Sequence, residues 1–153
     1  MGNLRPARDE GGARINPGKR FEGRFRKSLS LLPGWSVRLQ DGGKVAKTQM
    51  PGDFLYLHGG EHWLIECKAT ALGSLPFKNV ADEQLAELSR FERKGDVFHA
   101  LVAINFYDAD SIRSKNDCVL VGIDAFLAYR NSTSRKSIHQ KDAVLMGWLC
   151  DKC

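Results

Sequence analysis

Apolar residues recur along this chain with two distinct periods, and the changes of period divide it into elements. Across residues 18–32, Phe21, Phe25, Leu29 and Leu32 fall on one stripe at the spacing of an amphipathic helix. Pro33-Gly34 ends that helix. Residues 35–39 read as a short strand, and residues 40–52 as a polar loop. Two runs, residues 54–58 and 62–69, are rich in strand-favouring side chains, and Gly59-Gly60 between them predicts a hairpin. Residues 80–94 return to helical spacing, with Ala81, Leu85, Leu88 and Phe91 facing in. Residues 98–107 are almost wholly apolar, as a central strand covered on both faces should be. Residues 118–123 make a further strand, and Asp124 is placed to cap a short helix through Tyr129. Residues 132–141 read as a loop or weak helix, and residues 142–149 as a last element. No internal repeat or domain boundary interrupts the series.

At 153 residues the chain suits one domain with a real core and is short for two. The expected organisation is a flexible basic arm over residues 1–16, a folded domain over 17–149 and a tail over 150–153. No apolar run approaches the roughly 20 residues of a membrane span. The expectation is therefore a cytoplasmic protein, of a bacterium or a phage-infected host, with no membrane partner. Cys67 and Cys118 lie inside apolar runs and read as reduced, buried small hydrophobes. Cys150 and Cys153 form a C-x-x-C, half a zinc site at most, and a frayed tail with free thiols is the favoured reading.

Charge changes the picture by where it falls. Residues 1–27 carry eight basic side chains against three acidic ones, an excess of five that equals the net charge of the whole chain. The first part of that segment is rich in Gly, Pro and Asn and has little to bury, so disorder without a partner is expected. Such an arm can merely solubilise. Beside an acidic metal site it is what an enzyme acting on a polyanion needs, and nucleic acid is the favoured partner.

The candidate chemistry sits in the predicted hairpin. Asp53 opens the first of its strands, and Glu66 and Lys68 project from one face of the second, with Ile65 and Cys67 on the other. Charges inside an apolar strand need partners, because removing them from water is costly. One solution is a strand-end salt bridge of Asp53 or Glu66 with Lys68. The other is a shared cation, and an oxygen-only ligand set suits Mg²⁺ or Mn²⁺ and not zinc.

The surroundings resemble the PD-(D/E)XK nuclease superfamily. The residues that carry the resemblance are Gly18-Lys19-Arg20-Phe21-Glu22, then Asp53, then Glu66-Cys67-Lys68-Ala69-Thr70. Leu75-Pro76-Phe77-Lys78-Asn79-Val80 follows, leading to Gln84 and the apolar strand beyond. Within the superfamily the chain looks most like RecU-type Holliday-junction resolvases, with the archaeal-type resolvases next. Its 40–52 loop has about the length of the archaeal loop and lacks the long RecU-type insertion, and the chain beyond Tyr107 matches neither group.

The resemblance implies an α/β, restriction-endonuclease-like single domain: a mixed sheet flanked by helices in the order αβββαβ, with C-terminal additions. It implies a homodimeric, Mg²⁺-dependent endonuclease (Mn²⁺ substituting) that resolves four-way, branched DNA in recombination or repair. The metal ligands would be Asp53, Glu66 and the carbonyl of Cys67. Lys68 would act as a general base or as a fixed positive charge, and the surrounding negative charge favours the second role. Glu22 would join the site, or else pair with Arg26 on its own helix. Gln84 would contact phosphate or water, or else be a satisfied structural amide. Arg5, Arg8, Arg14, Lys19, Arg20, Lys44, Lys47 and Thr70 would hold DNA. The four histidines show no metal-ligand spacing and read as structural. Two alternatives remain: a restriction- or repair-type endonuclease on the same core, and a catalytically inactive DNA-binding module. The absence of an appended specificity domain disfavours sequence-specific cleavage.

Overall fold

The structure, a computed structural model, describes residues 16–39, 51–107 and 117–150. Helix α1 (Pro17–Ser30) starts where Asn16 accepts the Gly18 amide at 2.8 Å and Pro17 supplies a preset first turn. Its Phe21, Phe25 and Leu29 are buried as their spacing predicts. Leu32 is not part of that stripe. The helix stops at Ser30, and Leu32 is half exposed, because Pro33 cannot continue the helix that would have turned it inward.

Strands β1 (Trp35–Arg38), β2 (Phe54–His58) and β3 (Glu61–Thr70) form an antiparallel meander. Gly59 and Gly60 both have positive φ, 58° and 83°, the backbone that a two-residue hairpin turn requires. A short strand β4 (Ser74–Pro76) and a single 3-10 turn lead into α2 (Asp82–Glu92). The chain then returns as β5 (Phe98–Phe106), parallel to β3 and in register from His62↔Phe98 to Thr70↔Phe106. Strand β6 (Asp117–Gly122) adds antiparallel to β5. The expected order αβββαβ is thus the order observed, apart from the small β4.

The C-terminal part is more divided than the periodicity predicts. Helix α3 (Ile123–Ser132) begins at Gly122, so Asp124 lies within its first turn and is not its cap. The segment expected to be loop or weak helix contains β7 (Ser137–His139), which pairs with β4 in a separate two-stranded ribbon. The expected last element is two: α4 (Gln140–Met146) and β8 (Trp148–Cys150), which extends the main sheet beyond β6. Cys150 therefore belongs to a strand and is disulfide-bonded, correcting the expectation of a free thiol in a frayed tail. Cys67 and Cys118 are free and buried, as expected.

Among the described residues the main sheet is six-stranded and runs β1-β2-β3-β5-β6-β8, with only β3 and β5 parallel. Helix α1 covers one face through Phe21, Phe25, Phe54, Ile65 and Cys67. The other face packs Leu64, Val102 and Ile104 against Leu85 and Leu88 of α2 and Ile123 and Phe126 of α3. Burial on both faces is why β5 reads as an unbroken apolar run. No helix of the described residues is long and apolar enough to cross a membrane.

Candidate active site

Beyond Phe54, the β2 strand leaves β3, and the gap it opens is where the acids gather. Phe54 is opposite Ile65, and the Asp53 amide still donates to the Ile65 carbonyl at 2.8 Å. One step further there is no strand to meet Cys67, and the Asp53 side chain takes that place: the Cys67 amide donates to its carboxylate at 2.7 Å. In a strand the N–H and C=O of one residue face the same edge. The Cys67 carbonyl is thereby turned toward the Asp53 side, while its thiol is buried on the α1 face.

Glu66 projects from the opposite face, toward α2, and is 3% exposed. The Lys68 ammonium lies 2.7 Å from its carboxylate. Gln84 donates to the same carboxylate at 2.8 Å. The Gln84 carbonyl oxygen accepts from Lys68 at 3.4 Å and from the Ala81 amide at 3.3 Å. That last bond is half of a capping box, since the Ala81 methyl group has no acceptor to return it. The same amide thus caps α2 and holds Glu66 and Lys68 in place. It is hydrogen-bonded through both its oxygen and its nitrogen, as the structural-amide reading expects.

The electrostatics of the pair are unfavourable as they stand. Burial, and after it the neighbouring Glu66, push the Asp53 carboxyl up to about 6, against the pull of the Cys67 amide. Burial raises Glu66 as well, opposed by Lys68 and Gln84. Glu22 adds negative potential at both acids, so the edge of α1 faces the same site. Its partner is Arg38 at the end of β1, and not Arg26 one turn along its own helix. Arg38 was not legible as a site residue: only the register that sets it opposite Phe54, next to Asp53, brings it there.

The salt bridge expected as the simple alternative is present between Glu66 and Lys68, and Asp53, which feels the Lys68 charge only from a distance, has no ion pair of its own among the described residues. Among the described residues no three His, Cys, Asp or Glu side chains gather as a metal cluster. The donors on hand are two carboxylates and one strand-edge carbonyl, a set that fits a hard divalent cation retaining water ligands.

Lys19 and Arg20 are exposed on α1. Thr70 is buried, and its hydroxyl donates to the Ser74 carbonyl at 2.9 Å and accepts the Leu72 amide at 3.3 Å, so it closes the turn after β3 and is not presented to DNA. Arg5, Arg8, Arg14, Lys44 and Lys47 lie outside the described residues.

No protein-family model matches the chain, and no curated protein matches it in sequence. Among solved structures, its fold is similar to that of Hjc from Archaeoglobus fulgidus, a Holliday junction resolvase from an archaeal hyperthermophile. The TM-score is 0.60 at 20% identity, covering 88% of this chain and 97% of that one. That likeness extends to the fold, a sheet flanked by helices of the α/β class that the sequence resemblance implies.

Proposed function

We propose that this chain is a divalent-metal-dependent endonuclease that resolves four-way DNA junctions by phosphodiester hydrolysis. The observation that carries the proposal is the juxtaposition of a buried carboxylate, Glu66, with a half-buried one, Asp53, whose proton affinity it raises, and a lysine 2.7 Å from Glu66. Buried like charges destabilise each other and the fold that holds them. A divalent cation bound between Asp53 and Glu66 would relieve that repulsion. Asp53, Glu66 and the Cys67 carbonyl would hold Mg²⁺, for which Mn²⁺ can substitute. When bound, such an ion lowers the pKa of a coordinated water and neutralises charge on the phosphate.

The chain's own residues supply the rest. Lys68 contributes a positive charge aimed at the nonbridging oxygens of the scissile phosphate as negative charge builds there. Gln84 fixes the Glu66 carboxylate, so that its geometry does not depend on the substrate. Glu22, held by Arg38, adds a third carboxylate at the rim. The likeness to an archaeal Holliday junction resolvase supports the four-way junction as substrate. A homodimer, with one site per subunit related by a two-fold axis, fits the symmetry of that substrate.

The test is incubation of the purified protein with labelled four-way junction and with matched linear duplex, in Mg²⁺ and in EDTA. Symmetric nicks in opposing strands of the junction are expected with Mg²⁺ alone, with the duplex largely intact. Equal cutting of both substrates would assign a general or restriction-type nuclease, and no cutting with any divalent ion would assign a DNA-binding module.

A further inference from the structure

Helix α2 carries a second polar feature on the flank turned away from the acids. From Gln84 to Arg93 an α-helix makes about two and a half turns, so these two side chains leave it on opposite sides. On the Arg93 side, α2 and α3 run antiparallel, with Arg130 near the end of α3 reaching Asp82 at the start of α2 at 2.8 Å. Between them lies a cleft of about 680 Å³. Four cations, Arg90, Arg93, Lys94 and Arg130, line it against the single carboxylate of Asp82. Arg130 is paired with Asp82, and Arg90 with Glu87 at 2.8 Å. No carboxylate among the described residues pairs with Arg93 or Lys94.

Ser89 lines the same cleft, is 6% exposed, and has a buried hydroxyl with no hydrogen-bond partner among the described residues. A serine within a helix commonly satisfies its hydroxyl on a carbonyl one turn back, and this one does not. A buried donor without an acceptor is unfavourable, and because the Ser89 oxygen is closed to solvent an anionic oxygen in the cleft would reach it only after a small side-chain shift. The negative end of α2 explains basic residues in its last turn. The negative end of α3 and Asp82 account likewise for Arg130, but neither helix end explains why the cations of both helices line one cleft, nor the unsatisfied serine.

We propose that this cleft binds a phosphoryl group, either from a nucleic-acid backbone or from a free phosphorylated small molecule. The guanidinium forks of Arg90, Arg93 and Arg130 match phosphate oxygens in geometry and charge. The cleft's volume exceeds a bare phosphate, which leaves room for the group that carries it. The site is separate from the acids and does not depend on the proposed cleavage reaction.

The test compares the full chain with an Arg93→Gln/Lys94→Gln variant, both positions being exposed and outside the core. Thermal unfolding is followed with inorganic phosphate and with chloride at matched ionic strength, and binding to linear duplex is followed against salt in EDTA. Phosphate is expected to raise the midpoint of the native chain clearly more than that of the variant. If the ligand is a nucleic-acid backbone, the variant also loses about 0.9 in the slope of log K against log salt for each phosphate contact removed. An unchanged slope with a retained phosphate difference assigns the cleft to a free phosphorylated ligand. Equal response of both proteins to phosphate together with an unchanged slope overturns the proposal. Neither readout involves cleavage, so an absence of nuclease activity would not be mistaken for failure of this site.

Discussion

Asp53→Asn should make the metal-free protein more stable at pH 8, although it removes a hydrogen-bonded, partly buried carboxylate. The Asn side-chain oxygen can still accept the Cys67 amide, which now reaches Asp53 at 2.7 Å, so the bond survives while the charge is lost. The size of the effect follows from the proton affinity of the site. Burial and Glu66 raise Asp53 from its ordinary 3.8 to about 6. Below pH 3.8 both folded and unfolded chains hold the proton, and the site imposes no penalty. As pH rises from there to about 6 the unfolded chain ionises first and stability falls, and above about 6 the penalty is complete.

At about 1.36 kcal/mol per pH unit the full gap corresponds to about 3 kcal/mol. Partial solvent access screens the charge, and about 1–2 kcal/mol is the expected gain for the Asn variant. For a chain of this size that is a rise of about 3–6 °C in unfolding midpoint. The assay is thermal or urea unfolding of both proteins in EDTA at pH 8 and near pH 4, where the difference should fade. Saturating Mg²⁺ should then stabilise the native chain and leave the variant nearly unmoved. A variant destabilised by 1 kcal/mol or more at pH 8 would refute the reasoning, since it would make Asp53 a structural acceptor and not a strained ligand.

Glu66→Gln and Lys68→Ala should each abolish detectable junction cleavage while retaining junction binding in EDTA, read by gel cleavage and fluorescence anisotropy; wild-type cutting by either would remove that residue from the site. Glu66→Gln keeps an acceptor for Gln84 and the fold should persist, whereas Lys68→Ala leaves Glu66 buried without its cation and should also lower the unfolding midpoint at pH 8. Replacing Arg5, Arg8 and Arg14 by Ala should weaken DNA binding without sequence preference and lower the log–log salt slope by up to about 0.9 per lost phosphate contact. An unchanged slope would return the arm to a solubilising role.

What the sequence by itself determined is whatever rests on short-range period. Helix α1, the β2–β3 hairpin, α2 and β5 were legible because each buries one face or both, and the spacing of Phe21, Phe25 and Leu29 or the unbroken run of β5 records which. Asp53, Glu66 and Lys68 were legible for the same reason, as charges that interrupt an apolar pattern. Tertiary structure decided what depends on partners far along the chain. Three-residue β7 exists because β4 pairs with it, and no local periodicity can mark so short a strand. The register of β1 on β2 brings Arg38 to Glu22 in place of Arg26. The early departure of β2 from β3 lets the Asp53 side chain meet the Cys67 amide. The α2–α3 cleft joins residues some forty positions apart. Period is a property of one segment, whereas register and packing are relations between segments, and a relation between two segments is written in neither of them alone.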